Sequence, residues 1–153
     1  MSEDVTFRIA ELMLEGRGCG YVLMKLALEE QIGDEAALLR AMSGLTLGMG
    51  CGLTCGALTG ACCVLGLYAG SLPDRAEDDP RLAFMLNDVV GWFTDETRQR
   101  YGGIDCTEII HSDPVLRQTR CPALIADTWF RVVEVLKKYD FDPSCPPSVG
   151  KIR

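Results

Sequence analysis

Between Gly44 and Gly70 the chain reads GLTLGMGCGLTCGALTGACCVLGLYAG, without one charged residue. A charge-free stretch of this length invites a membrane reading, because roughly 20 apolar residues span the hydrocarbon core. Its eight glycines argue otherwise. Gly44, Gly48, Gly52, Gly56 and Gly60 fall four apart, the ladder that lets two helix backbones approach closely, in lipid or in a soluble core. A helix begun at the Thr54 cap reaches Gly70 too soon to cross a bilayer. The stretch is therefore read as a flexible glycine loop, Gly44 to Gly52, followed by a central helix reaching about Tyr68. A helix apolar all round belongs in the middle of a bundle.

Outward from that centre the apolar residues keep a helical period, and nowhere does an alternating run demand a strand. A first helix runs from about Glu3 to Glu15, with Val5, Ile9 and Leu12 on one face, and ends at Gly16. A second follows Cys19 and stops at Gly33. Asp34 caps a third that carries Leu38, Leu39 and Met42. After the polar linker 71–79, Asp79-Pro80 opens a fifth helix with a buried stripe of Leu82, Leu86, Val89 and Phe93, closed by Gly102-Gly103. Asp105 with Glu108 forms a capping box for a short sixth, limited by Pro114. A last helix starts at Cys121-Pro122 and buries Ile125, Trp129, Val132, Val133 and Leu136. The expectation is an all-α, compact multi-helix bundle around the glycine-rich apolar helix, with residues 1–140 as a single helical domain and 141–153 as an irregular, proline-rich tail.

A chain of 153 residues can bury enough apolar surface to fold without covalent staples. Its net charge of -7 repels phosphate backbones, so nucleic acid is not an expected partner. The start, Met1 to Asp4, lacks the basic and apolar regions of an export signal, which points to the cytoplasm. There thiols stay reduced, and eight cysteines signify metal or redox chemistry rather than disulfides, unless they are buried small hydrophobes.

No Cys-x-x-Cys occurs, which excludes thioredoxin motifs, most zinc knuckles, the bacterial ferredoxin run and c-type haem attachment. Any site must be assembled from distant segments. Cys19, Cys55, Cys106 and Cys121 each lie at or beside an expected helix start, where free N–H groups and the helix dipole stabilise a thiolate. Four such ends suit an iron-sulfur cluster tuned by hydrogen bonds to its sulfurs. Zinc with four thiolates matches the count as well, and a metal-free thiol-disulfide oxidoreductase, with Cys55 attacking and Cys19 or Cys121 resolving, stays open beside both.

These residues carry a resemblance. Thr54-Cys55-Gly56-Ala57-Leu58-Thr59-Gly60, preceded by the glycine-rich loop, with Cys19 before it and Asp105-Cys106 and Cys121 after it, resembles the C_GCAxxG_C_C family of redox-active proteins over most of the chain. The resemblance implies redox activity without fixing a reaction. Split-Soret cytochromes carry a similar domain with an iron-sulfur site; their haem does not transfer, since the chain has one histidine and no attachment motif.

Cys51, Cys62, Cys63 and Cys145 depart from the family pattern. If the central helix extended backwards, Cys51, Cys55 and Cys62 would share a face, making Cys51 and Cys62 additional ligand candidates. Cys62 and Cys63 otherwise read as core packing, and Cys145 as a free thiol. His111 reads as a structural residue in a turn. Arg117 and Arg120 flank Cys121 and can depress its pKa, although solvated surface charge is the ordinary role of such residues. Glu29, Glu30, Asp78 and Asp79 read as helix-end and linker charges. The expected partner is a redox protein with a basic docking face, and the apolar helices offer a face for a homodimer.

Overall fold

The computed structural model describes residues 2–29 and 36–147, and it is all-α. Its helices are α1 (Ser2–Leu14), α2 (Cys19–Leu28), α3 (Ala36–Ala41), α4 (Gly56–Ala69), α5 (Arg81–Tyr101), α6 (Cys106–Ile110) and α7 (Pro114–Lys138). Among the described residues there is no strand, only isolated antiparallel bridges between Thr54 and Asp105 and between Leu72 and Arg75. The expected stop of α2 at Gly33 and cap of α3 at Asp34 lie outside the described residues, as does Glu30. No helix among the described residues is long and apolar enough to cross a membrane.

α4 packs against α2, α5 and α7, and α1 lies on α7 and α2. The core they enclose is mostly aliphatic: Ile9, Leu23, Val64, Leu65, Met85, Val89, Ile125, Val132 and Leu136 are fully buried, with Phe93 among them. The closest approach is glycine against glycine. A Cβ built on Gly60 of α4 would stand 2.6 Å from the Gly20 Cα of α2, closer than real carbon atoms pack. Gly56, one turn earlier, would meet the Leu45 carbonyl at 2.9 Å. The spacing-four glycines thus let α2 and α4 touch along their backbones, and both helices begin at a cysteine.

Several boundaries depart from expectation. Gly44 to Gly52 is not a flexible loop: Met42–Leu45 form a 3-10 turn, and the backbone then winds left-handed through Leu47, Gly48, Met49 and Gly50, all with positive φ. The turn is closed by Leu53 N–H donating to the Gly48 carbonyl at 3.3 Å. Gly48 is obligatory, because a Cβ there would lie 2.3 Å from the Leu53 carbonyl oxygen. This left-handed wind also stops α4 from extending backwards, so Cys51 does not share its face. The cap of α4 is Cys55 rather than Thr54, whose backbone is engaged in the bridge to Asp105.

α5 buries Met85, Val89, Phe93 and Thr97, a stripe rotated from the expected one, with Leu82 and Leu86 half-buried. Thr97 satisfies its hydroxyl on the Phe93 carbonyl at 2.7 Å. The capping box at Asp105 and Glu108 is present, and α6 ends at His111 in the left-handed conformation rather than at Pro114. Pro114 instead opens α7, with Asp113 as cap accepting Val115 N–H at 2.8 Å. Cys121 and Pro122 therefore lie inside α7, not at its start. Proline at the first helical position and proline inside a helix leave the same local mark on a sequence, and here the upstream Asp-Pro pair prevails. The described part of the tail, 141–147, is irregular but tied down, the rest of the expected tail lying outside the described residues: Tyr68 donates to the Pro143 carbonyl at 2.6 Å, and Arg81 stacks on Phe141 at 3.9 Å.

Candidate functional site

Cys19, Cys55, Cys106 and Cys121 converge. The four line one enclosed cavity of about 20 Å³ together with Thr46, Leu47, Gly56, Ile109, Ile110 and Arg117. Each sulfur comes from a different helix boundary or face. Cys19 is the first residue of α2, Cys55 the cap of α4 and Cys106 the first residue of α6. Cys121, one turn beyond Arg117 on α7, comes from a helix interior.

A short antiparallel clasp fixes two of these positions. Cys55 N–H donates to the Ile104 carbonyl at 3.0 Å, and Cys106 N–H donates to the Leu53 carbonyl at 2.7 Å. Thr107 Oγ1 adds a bond to the Gly52 carbonyl at 2.6 Å. Both thiol-bearing backbones are thereby satisfied and held side by side. On the opposite wall Cys19 leans over Gly56, where an added Cβ would sit 3.5 Å from the Cys19 Cβ.

The electrostatics of the nest are uneven. The Cys19 thiol donates to the Cys121 sulfur, which pulls the Cys121 pKa down, and the Arg117 guanidinium adds to this against the cost of burial. That same bond, then burial and the neighbouring sulfurs, drives Cys19 far up. Burial pushes Cys55 from 9.0 up to about 12; its side chain makes no capping hydrogen bond, but the Ala57 and Leu58 amides face the sulfur and oppose the shift. Burial also raises Cys106, with Cys121 repelling and Arg117 attracting its charge. The thiolate that a helix start was expected to favour at Cys55 is thus outweighed by desolvation. Of the four, Cys121 is the one whose ionisation its surroundings favour.

Arg117 makes no hydrogen bond or ion pair with a carboxylate among the described residues. Arg120, by contrast, donates to the Ile109 carbonyl at 2.7 Å and stacks on Tyr101, a structural role. The signal for Arg117 was in the sequence: it precedes Cys121 by four residues, one helical turn. Of the two arginines expected to act on Cys121, Arg117 is the one that does.

The remaining cysteines stay outside. Cys51 is exposed in the left-handed turn, Cys62 is half-buried on α4, and Cys63 and Cys145 are exposed. All eight are free thiols. His111 is exposed, and the acidic residues serve structure: Glu29 pairs with Arg8, Asp78 accepts Ser71 N–H, and Asp79 binds Arg81.

The donor set fits a thiolate-bound centre, since four soft ligands line the cavity with no carboxylate or imidazole among them. The fit is chemical rather than a preformed cage. The cavity is close to the room of one water, and among the described residues no three Cys, His, Asp or Glu side chains stand at the spacing that holds a metal ion.

No curated protein and no solved structure matches the chain. A family model described as "Putative redox-active protein (C_GCAxxG_C_C)" matches residues 18–135, a span that includes all four cysteines of the nest. The chain belongs to the C_GCAxxG_C_C family of redox-active proteins.

Proposed function

We propose that Cys19, Cys55, Cys106 and Cys121 hold an iron-sulfur cluster and that the protein exchanges single electrons with a partner protein. The observation that supports this reading is the convergence of four sulfurs, from four separate helices, on one apolar-walled cavity with a single guanidinium. A cluster, when bound, supplies reversible one-electron chemistry. The chain supplies the rest. Burial and neighbouring sulfurs oppose ionisation of Cys19, Cys55 and Cys106, and a cationic centre relieves that opposition by taking the place of the protons. Arg117 offsets the negative charge of the thiolates, and the Ala57 and Leu58 amides point at the Cys55 sulfur. The net charge of -7 suits a partner with a basic docking face, where attraction speeds encounter.

The test is anaerobic purification with iron, zinc and acid-labile sulfide analysis. A brown protein with iron and sulfide in equal amounts is expected. Cys106→Ser abolishes both, while Cys145→Ser, in the tail, leaves them intact. Zinc without sulfide, or a colourless metal-free protein, overturns the cluster.

One observation favours a second reading, a thiol-disulfide exchanger. The Cys19 thiol already donates to the Cys121 sulfur, a bond that favours ionisation of Cys121, the pairing of an attacking and a resolving sulfur. This makes Cys121 the nucleophile, with Cys55, held as a thiol by burial, unsuited to the part. A reversible two-proton mass loss that maps to Cys19 and Cys121 in metal-free protein is its signature.

A further inference from the structure

Beside the nest, and sharing Leu47, Cys106, Ile110 and Arg117 with it, lies an open cleft of about 450 Å³. Its size matches that of small-molecule sites. Three features of its wall bear on what it takes: the exposed Cys51 thiol, the half-buried Cys106, and Arg117. The Arg117 guanidinium has no carboxylate partner among the described residues. The acid on the rim, Asp113, is committed to capping α7 through Val115 N–H. Leu47, Ile110 and Pro114 supply apolar surface. A cleft with a cation that no described carboxylate pairs, an exposed thiol and apolar walls matches a small organic molecule that bears both a carboxylate and a reactive sulfur.

We infer that this cleft binds low-molecular-weight disulfides carrying a carboxylate, with Arg117 anchoring the carboxylate and Cys51 entering exchange. Cys51 attacks as the thiolate; its sulfur bonds to one sulfur of the disulfide as the original S–S bond breaks. The departing thiolate takes up from solvent the proton that Cys51 released. The protein gains one mixed disulfide, the small molecule is reduced to one free thiol, and no further oxidant is needed. The left-handed turn suits this role, because it carries Cys51 out of line with α4 and away from the nest. The reacting sulfur is not one of the cluster's, since Cys51 does not line the inner cavity, although the two spaces share Cys106 and Arg117.

The experiment uses the reduced full-length chain and two probes, the dianionic 5,5'-dithiobis(2-nitrobenzoate) and the neutral 4,4'-dithiodipyridine, with modified cysteines mapped by mass spectrometry. Cys51 is the fastest site for the anionic probe, and Cys51→Ser removes the fast phase. Arg117→Gln slows the anionic probe by about fivefold, the factor that a partly exposed ion pair of about 1 kcal/mol provides, and Arg117→Lys restores part of the rate. The neutral probe changes by less than twofold in both variants, which separates anchoring from a shift in thiol ionisation. In the unaltered chain, raising salt towards about 1 M, where screening acts within about 3 Å, slows only the anionic probe; this arm stands even if an Arg117 variant fails to fold. Equal slowing of both probes, or a fast phase that maps to Cys63 or Cys145, overturns the inference. Iron and sulfide content plays no part in these readings, so their failure and the failure of the cluster are separate results.

Discussion

Replacing Gly60 and Gly66 by alanine, one at a time, makes the same chemical change at two positions of α4 with opposite expected signs. In a helix interior alanine is favoured over glycine by about 1 kcal/mol. Gly66 has open space where its Cβ would go, so Gly66→Ala should realise that gain. For a chain of this size 1 kcal/mol is worth about 2–4 °C in Tm, and the variant should melt that much higher. At Gly60 the new Cβ would stand 2.6 Å from the Gly20 Cα. The obstacle is backbone, not a side chain that can rotate away, so α2 must retreat from α4. Overpacking of a core costs about 1–3 kcal/mol, and with rigid backbone on both sides the upper end applies. After the propensity gain about 2 kcal/mol of loss remains, a fall of about 4–8 °C. The assay is thermal and urea unfolding of the reduced, metal-free protein. The retreat also draws Cys19 from Cys121, so alkylation of Cys121 by iodoacetamide at neutral pH should slow in Gly60→Ala and not in Gly66→Ala. If both variants gain stability alike, α2 and α4 do not meet at these glycines, and the account of how the nest is assembled is wrong.

Two further outcomes follow from the cap of α6 and from the buried thiols. Asp105→Ala removes the capping box ahead of Cys106; it should cost about 0.5–2 kcal/mol and speed amide exchange at Glu108 and Ile109, and an unchanged urea midpoint with unchanged exchange would contradict it. Cys55 has a folded pKa of about 12 against an ordinary 9.0, so the folded state holds a proton that the unfolded chain gives up first. Its contribution is therefore intact below pH 9 and declines by up to about 1.4 kcal/mol per pH unit as pH rises towards 12. Urea midpoints of the metal-free protein should fall more steeply above pH 9 than those of Cys55→Ala, and parallel slopes would refute the burial argument.

The sequence by itself determined the helical architecture, because the apolar period, the Gly102 stop and the Asp105 capping box are local signals that act within one or two turns. It also singled out four of eight cysteines, since three of them do sit at helix starts. Where it misled, Cys121-Pro122 reads as the start of the last helix and Pro114 only as the limit of α6, whereas the structure opens α7 at Pro114 and packs it along α1, α4 and α5. The tertiary structure alone decided what those cysteines are to one another. Periodicity could not reveal that the Gly44–Gly52 stretch winds left-handed and turns Cys51 outwards, or that Gly60 seats α2 against α4. Nor could it show that burial would suppress the Cys55 thiolate while a hydrogen bond from Cys19 and the charge of Arg117 favoured the Cys121 one. Ionisation in a shared cavity depends on desolvation and on neighbours that are distant in sequence, and folding is what brings those neighbours together.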